Sequence, residues 1–299
     1  MFDVHGLVIN HFVEELREAY QQTYSHMHPE YGNIIVWTAQ LALENLANSD
    51  ALYHNVEHTI LVTSVGQSIL KGKHLIEGGV TPKDWMHFTM ALLCHDIGYV
   101  KGICQADKGG RFATGVGDET VELPSGGTDA ALQPYHVDRS QLFVRERFGG
   151  TTLQTTDVDP ETIVSYIEMS RFPIPEDEAH QDPQGYGALI RAADFIGQLG
   201  DPKYPRKIPA LYYEFVETGV DEDNGYTCPG DMRTGYAEFY WQVVHPQIED
   251  VLKYLYVTQE GKLWIANLHA HVFDAEHTAA SAAHYHRITR PDCPEIDPE

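Results

Sequence analysis

Apolar residues recur along this chain every three to four positions rather than every two. Ile34, Trp37 and Leu41 form one such stripe, and Trp85, Phe88 and Leu92 another, the spacing that gathers side chains on one face of an α-helix. Sustained alternation of apolar and polar residues, the mark of a half-buried strand, is hard to find. The pattern predicts helices over roughly residues 8–26, 32–47, 56–72, 82–97, 130–148, 160–171, 185–200, 207–218, 233–256 and 259–275. Clusters of glycine, proline and aspartate separate them, as in "EGGVTPKD", "FGGT" and "FPIPEDEAHQDPQGYG", where backbone preferences work against helix. The expected fold class is all-α, a compact multi-helix bundle.

Two stretches escape the pattern. Residues 100–129, "VKGICQADKGGRFATGVGDETVELPSGGTD", are rich in glycine and lack periodicity. That is longer than the ~12–15 residues a compact domain usually leaves without structure, so the segment reads as a long irregular insertion, either a lid or a surface excursion. The ending "RPDCPEIDPE" has the composition of a disordered tail. No repeat or linker forces a boundary, so residues 1–290 are expected to form one domain, followed by a disordered tail at 291–299.

Composition narrows the function. The chain has 299 residues, 42% of them hydrophobic, enough for a sizeable core. Its 44 acidic and 20 basic residues give a formal net charge of −24, which repels nucleic acid polymers and anionic membrane surfaces. A small anionic substrate requires local positive charge. Four cysteines without a C-x-x-C pair fit a reducing compartment. Neither a leader-like N-terminus nor an apolar run of membrane-spanning length is evident. The expectation is a cytoplasmic, soluble protein.

The chemistry concentrates in three strings. In "YHNVEH", residues 53–58, Asn55 is placed to cap a helix that carries His58 in its first turn, with His54 one helical turn earlier. In "MALLCHDIGYVKG", residues 90–102, an apolar helix runs directly into His95 and Asp96. In "YGALIRAADFIGQL", residues 186–199, Asp194 lies in the middle of an apolar helix, where an unpaired carboxylate is costly. His58, His95, Asp96 and Asp194 together offer two imidazoles and two carboxylates. That donor set suits zinc, manganese or iron at a tight site, with a second, harder position for magnesium or manganese if Asp96 bridges.

The order H…HD…D on helices resembles the HD-domain metal-dependent phosphohydrolases. Within them it is most similar to the catalytic domains of class I cyclic nucleotide phosphodiesterases. "YHNVEH" resembles their Y-H-N-x-x-H signature and "RAADFIGQLGDP" their segment around the last metal aspartate. "YAEFYWQVVHPQIEDVL" is similar to their V-H-P helix and "GKLWIANLHAHV" to their final helix. The resemblance covers roughly residues 52–272. It implies an HD-type helical domain with two divalent cations, in which a metal-bound hydroxide attacks phosphorus and His54 protonates the leaving oxygen as general acid. It places His136 beside the second cation and phosphate, Gln133 where the family carries a glutamate that orients this histidine, and Glu168 near another acidic position behind the ligands. Phe239 falls where the family stacks an aromatic on the nucleobase.

Two departures bear on substrate. Tyr236 stands where the family has its base-reading glutamine, and Gly197 where an asparagine is expected three residues after the metal aspartate; without a two-way amide a purine edge is not read in the usual fashion. A phosphodiester related to cyclic nucleotides is the leading substrate class. The alternatives are a nucleotidase or other phosphomonoesterase, a metal-holding but catalytically silent sensor module, and a di-iron oxygenase, which needs further histidine ligands. The C-terminal histidines His269, His271, His277, His284 and His286 show no spacing that closes a second site.

Overall fold

The computed structural model describes residues 3–150, 157–181 and 185–284, with side chains to 277. The helices that follow Asp3, Asn55, Thr81 and Asp159 start where these short polar side chains satisfy free amide groups. Asp3 accepts from the amide of Gly6 (2.9 Å) and opens α1, Val4–Tyr24, four residues before the apolar stripe predicts. Then come α2, Pro29–Leu46, and α3, Val56–Glu77. Asn55 caps α3 by accepting from Glu57 and His58 (2.9 and 3.4 Å). Thr81 and Asp84 form a reciprocal capping box on α4, Pro82–Cys94. Every residue of α4 from Trp85 to Cys94 is buried, so this helix runs through the core rather than along its surface.

The second half continues with α5, His136–Phe148; α6, Pro160–Glu168; α7, Tyr186–Leu199; and α8, Tyr204–Thr218. Short helices α9, Val220–Asp223, α10, Pro229–Thr234, and α11, Tyr236–Phe239, lead to α12, His245–Leu255, and α13, Gln259–His284. The fold is all-α, as the periodicity predicts. Its hydrophobic core runs from Ile9 on α1 to Val272 on α13. No helix of the described residues is long and apolar enough to cross a membrane.

Helices α3 and α7 make the most extensive packing in the molecule. A Cβ at Gly197 would lie 2.7 Å from Cα of Val62 and 2.9 Å from its amide nitrogen. Only hydrogen fits there, so glycine at 197 is what lets the two helices close. Gly98 meets the same constraint against α5, with the carbonyl of His136 at 1.9 Å from an added Cβ.

Three expectations change. The helix expected over 233–256 is divided: α11 passes through a π-helical turn, Tyr240–Val244, before α12. Pro246 lacks an amide hydrogen and crowds the preceding turn, and the wider turn accommodates it. The helix expected from 130 begins as a 3-10 stretch, Asp129–Tyr135, with Pro134 inside it.

The irregular insertion contains a hairpin, β1 (Arg111–Ala113) with β2 (Thr120–Glu122), in antiparallel register Phe112 to Val121. It is stapled to the body by Arg139 of α5, fully buried, which donates to the carbonyls of Gly98 (2.6 Å), Val100 (2.9 Å) and Ala113 (2.5 Å) and to both oxygens of Asp107 (3.1 and 2.9 Å). Cys94 and Cys104 are buried free thiols, whereas Cys228 is disulfide-bonded, a state the cysteine spacing gave no reason to expect. The tail at 291–299 lies outside the described residues.

Candidate metal centre

The four expected ligands arrive from three helices. The Asn55 cap fixes the first turn of α3 and holds His58 in the interior, 3% exposed. His95 terminates α4 and Asp96 follows it; both are buried. Ser140 of α5 pins this corner, donating to the carbonyl of His95 (2.7 Å) while accepting from the amide of Gly98 (2.9 Å). Asp194 projects from α7, brought close by the α3–α7 packing that Gly197 permits.

Their ligand atoms converge. His58 Nε2 lies 3.2 Å from Asp96 Oδ2 and 3.4 Å from Asp194 Oδ1, and His95 Nε2 lies 3.2 and 3.7 Å from the same two oxygens. Nδ1 of His95 donates to the carbonyl of Leu92 (2.7 Å), which leaves the Nε2 lone pair facing the carboxylates. Close as they are, His95 Nε2 and Asp96 Oδ2 are buried without a hydrogen-bond partner: their separation is short but their directions do not align with each other. Buried polar atoms are nearly always satisfied, and lone pairs facing a common point form a group that could hold a cation.

The electrostatics point the same way. Burial works against charge on His95, yet Asp96 and Asp194 hold its proton affinity well above the imidazole range. Burial likewise favours the neutral form of both carboxyls, but the histidines keep both well below their ordinary range. One buried carboxylate, Asp96, and one three-quarters buried, Asp194, call for compensating positive charge, which protons on the imidazoles or one divalent ion could supply.

His54 stands beside this cluster. Its ligand atom, one from His58 and one from Asp96 lie within 4.8 Å of one another, as do those of His58, His95 and Asp194. His54 Nδ1 meets Glu214 Oε2 at 2.5 Å, and Glu214 Oε1 accepts from the amides of Tyr53 (2.6 Å) and His54 (3.2 Å). Burial lowers the proton affinity of His54, but the Glu214 carboxylate outweighs it and the net shift is upward. The ring stacks on Tyr99, 4.5 Å between centroids and 9° between planes. Sequence reasoning missed both neighbours. Glu214, a carboxylate within the apolar "ALYYEFV" of α8, carries the same signal that singled out Asp194.

His136 opens α5 with Nε2 3.9 Å from Asp96 Oδ1, on the other oxygen from the one facing His58 and His95. Its Nδ1 donates to the carbonyl of Gln133 (2.6 Å). Gln133 therefore holds His136 through its backbone. Its side chain, expected to orient that histidine, accepts instead from Thr218 of α8 (2.6 Å). Glu168 belongs to a separate network with Arg171 (2.6 Å), His180 (3.2 Å) and Gln141. Among the described residues no hydrogen bond or ion pair joins it to the ligands, because Arg171 also engages Asp138 (2.9 Å) and draws the acid toward itself.

Tyr236 is buried against Tyr204, 5.8 Å between centroids, and its hydroxyl has no hydrogen-bond partner. It fills core space rather than reaching the cluster. Phe239 packs edge-on against Phe172 (6.2 Å), which is 51% exposed and packs in turn on Phe195 (6.1 Å), the neighbour of Asp194. Of the C-terminal histidines, His271 bonds the carbonyl of Leu199 and His277 that of Phe273, while the His284 side chain and His286 lie outside the described residues.

Fold and cluster together define an all-α protein in which two buried histidines, a buried aspartate and a partly exposed one converge in a group that could hold a metal ion. The chain matches the Npun_R2479-like family over residues 2–278 and belongs to that family. No curated protein matches it. The family description names no reaction, so the chemistry is read from the side chains.

Proposed function

We propose that the chain is a metal-dependent phosphohydrolase of the HD type, acting on a small phosphodiester. The observation that carries this reading is the convergence of His58, His95, Asp96 and Asp194, with His95 Nε2 and Asp96 Oδ2 buried there without a hydrogen-bond partner and His54 beside them, tied by Nδ1 to Glu214. The donor set fits zinc, manganese or iron. Asp96 turns Oδ2 to His58 and His95 and Oδ1 to His136, the disposition a carboxylate needs to serve a second ion such as magnesium or manganese. Bound there, divalent cations supply Lewis acidity that activates water and neutralises phosphoryl oxygens. Glu214 fixes the His54 ring by Nδ1 and favours its protonated form, leaving Nε2 to donate a proton to a leaving oxygen. Phe172 and Phe239 offer an apolar flank for the organic part of the substrate.

A diester is favoured over a phosphomonoester by charge. Among the described residues no lysine or arginine pairs with Asp96, Asp194, Glu214 or His54, and Arg171 is occupied by Glu168 and Asp138. In a chain of net charge −24, a singly charged phosphate is the easier guest. The silent sensor module remains the second reading, favoured by the burial of Tyr236, which leaves no amide in its place. Protein loaded with manganese or zinc should release product from a panel of cyclic nucleotides and bis-(p-nitrophenyl) phosphate faster than phosphate from nucleoside monophosphates. Asp96→Asn should abolish it. Absence of hydrolysis across the panel, or hydrolysis indifferent to Asp96→Asn, would refute the phosphohydrolase reading.

A further inference from the structure

His54 raises a problem of selectivity within its own site. Its imidazole shares with His58 and Asp96 a geometry fit to hold a metal ion, so something must keep it off the cation if it is to remain a proton carrier. The hydrogen bond that His54 donates to Glu214 fixes one nitrogen only (2.5 Å). A ring held at Nδ1 can still pivot about that bond and swing Nε2 toward the carboxylates. The planar contact with Tyr99, 9° from parallel at 4.5 Å, blocks that pivot.

Tyr99 in turn cannot retreat. His136 stacks on it at 4.6 Å and 27°, and the His136 ring is tied to the Gln133 carbonyl. The backbone of Tyr99 closes a tight turn, its amide donating to the carbonyl of Asp96 (3.1 Å), and the preceding Gly98 has no free space toward α5. The side chain is 2% exposed. Aromatic rings in such offset contact resist reorientation.

We propose that Tyr99 is the positioning residue that holds His54 outside the ligand set of the cation, an inference that rests on the cation site proposed above. Its removal converts a centre with two imidazoles into one with three. The test uses zinc alone, with no substrate. Zinc K-edge X-ray absorption counts the imidazoles on the ion, and competition with a chelating dye gives its affinity, in the wild type, Tyr99→Phe, Tyr99→Leu and the double variant Tyr99→Leu/His54→Gln.

Wild type and Tyr99→Phe, which retains the ring, should each show two imidazoles. Tyr99→Leu should show three and bind zinc about tenfold more tightly, in the range that groups behind metal ligands command. The double variant should return to two, which assigns the new ligand to His54. Tyr99→Met replaces the leucine variant if circular dichroism shows that the latter does not fold. Three imidazoles already in the wild type, or two with unchanged affinity in Tyr99→Leu, would overturn the inference while leaving the cation site standing. Failure of the wild type to bind zinc would remove the cation site and the inference together.

Discussion

Replacing Arg139 by methionine tests how the insertion and the metal corner are held. Methionine keeps the apolar stem of arginine but carries none of its donors. The substitution deletes five hydrogen bonds, three to carbonyls and two to Asp107. The arginine side chain is fully buried and that of Asp107 is 1% exposed. Breaking a buried pair from one side typically costs ~3–5 kcal/mol, since the remaining charge stays buried without its partner. Asp107 is not stripped bare: it keeps the amides of Gly102 (2.9 Å), Cys104 (3.3 Å) and Ala113 (2.8 Å), which pulls the electrostatic part toward the lower end. The three stranded carbonyls add to it, at ~1–3 kcal/mol for each that water does not reach.

The expected loss is about 4 kcal/mol of unfolding free energy, read from urea titrations followed by circular dichroism. A double-mutant cycle with Asp107→Asn should give a coupling of at least about 2 kcal/mol. Because Gly98 lies two residues beyond Asp96, zinc affinity should also fall about tenfold. A loss below about 0.5 kcal/mol, within the usual range for surface sites, would show that the staple is not what anchors residues 100–113.

Further outcomes are expected. His54→Gln should lower the rate of diester hydrolysis by roughly 10²–10⁴-fold, with bound metal measured by elemental analysis unchanged; equal loss of metal and rate would remove the proton-donor role. Adding zinc at about 100 times its dissociation constant should raise stability by ~2.7 kcal/mol, visible as a higher melting temperature that Asp194→Asn abolishes. His87 is buried, its Nε2 accepts from the amide of Asp159 (2.9 Å), and burial followed by Lys83 lowers its proton affinity. Protonation therefore favours the unfolded chain: the stability that neutral His87 contributes is complete above its unfolded pKa of about 6.5 and is lost as pH falls through the lower folded value. Urea midpoints at pH 7.5 and 5.5 should drop more in the wild type than in His87→Gln, and equal drops would contradict the assignment.

The convergence of His58, His95, Asp96 and Asp194 was legible in the sequence because a charged residue inside an apolar helix has an energetic problem that only a partner solves. Asp96 and Asp194 each announced that problem locally, and the Asn55 cap located His58 without reference to anything distant. Glu214 posed the same problem, yet its partner lies 160 residues away in sequence and no spacing connects the two. Tyr99 was invisible for another reason: stacking depends on ring orientation, which a one-dimensional pattern does not carry. The hairpin strands are three residues each, too short for alternation to register, and what fixes them is an arginine on a helix that begins after the insertion ends. Glu168 was misplaced because a carboxylate on a helix face joins whichever guanidinium is in reach, and Arg171 is three residues along the same chain.

The tight crossing at Gly197 also limits where this site can be remodelled. Any side chain introduced at 197 collides with the main chain of Val62 before it can extend anywhere else, so a new recognition group there would have to wedge α3 away from α7 and disturb His58 and Asp194 together. Position 197 is thus closed to redesign by packing, and selectivity has to be engineered from elements that do not share this crossing.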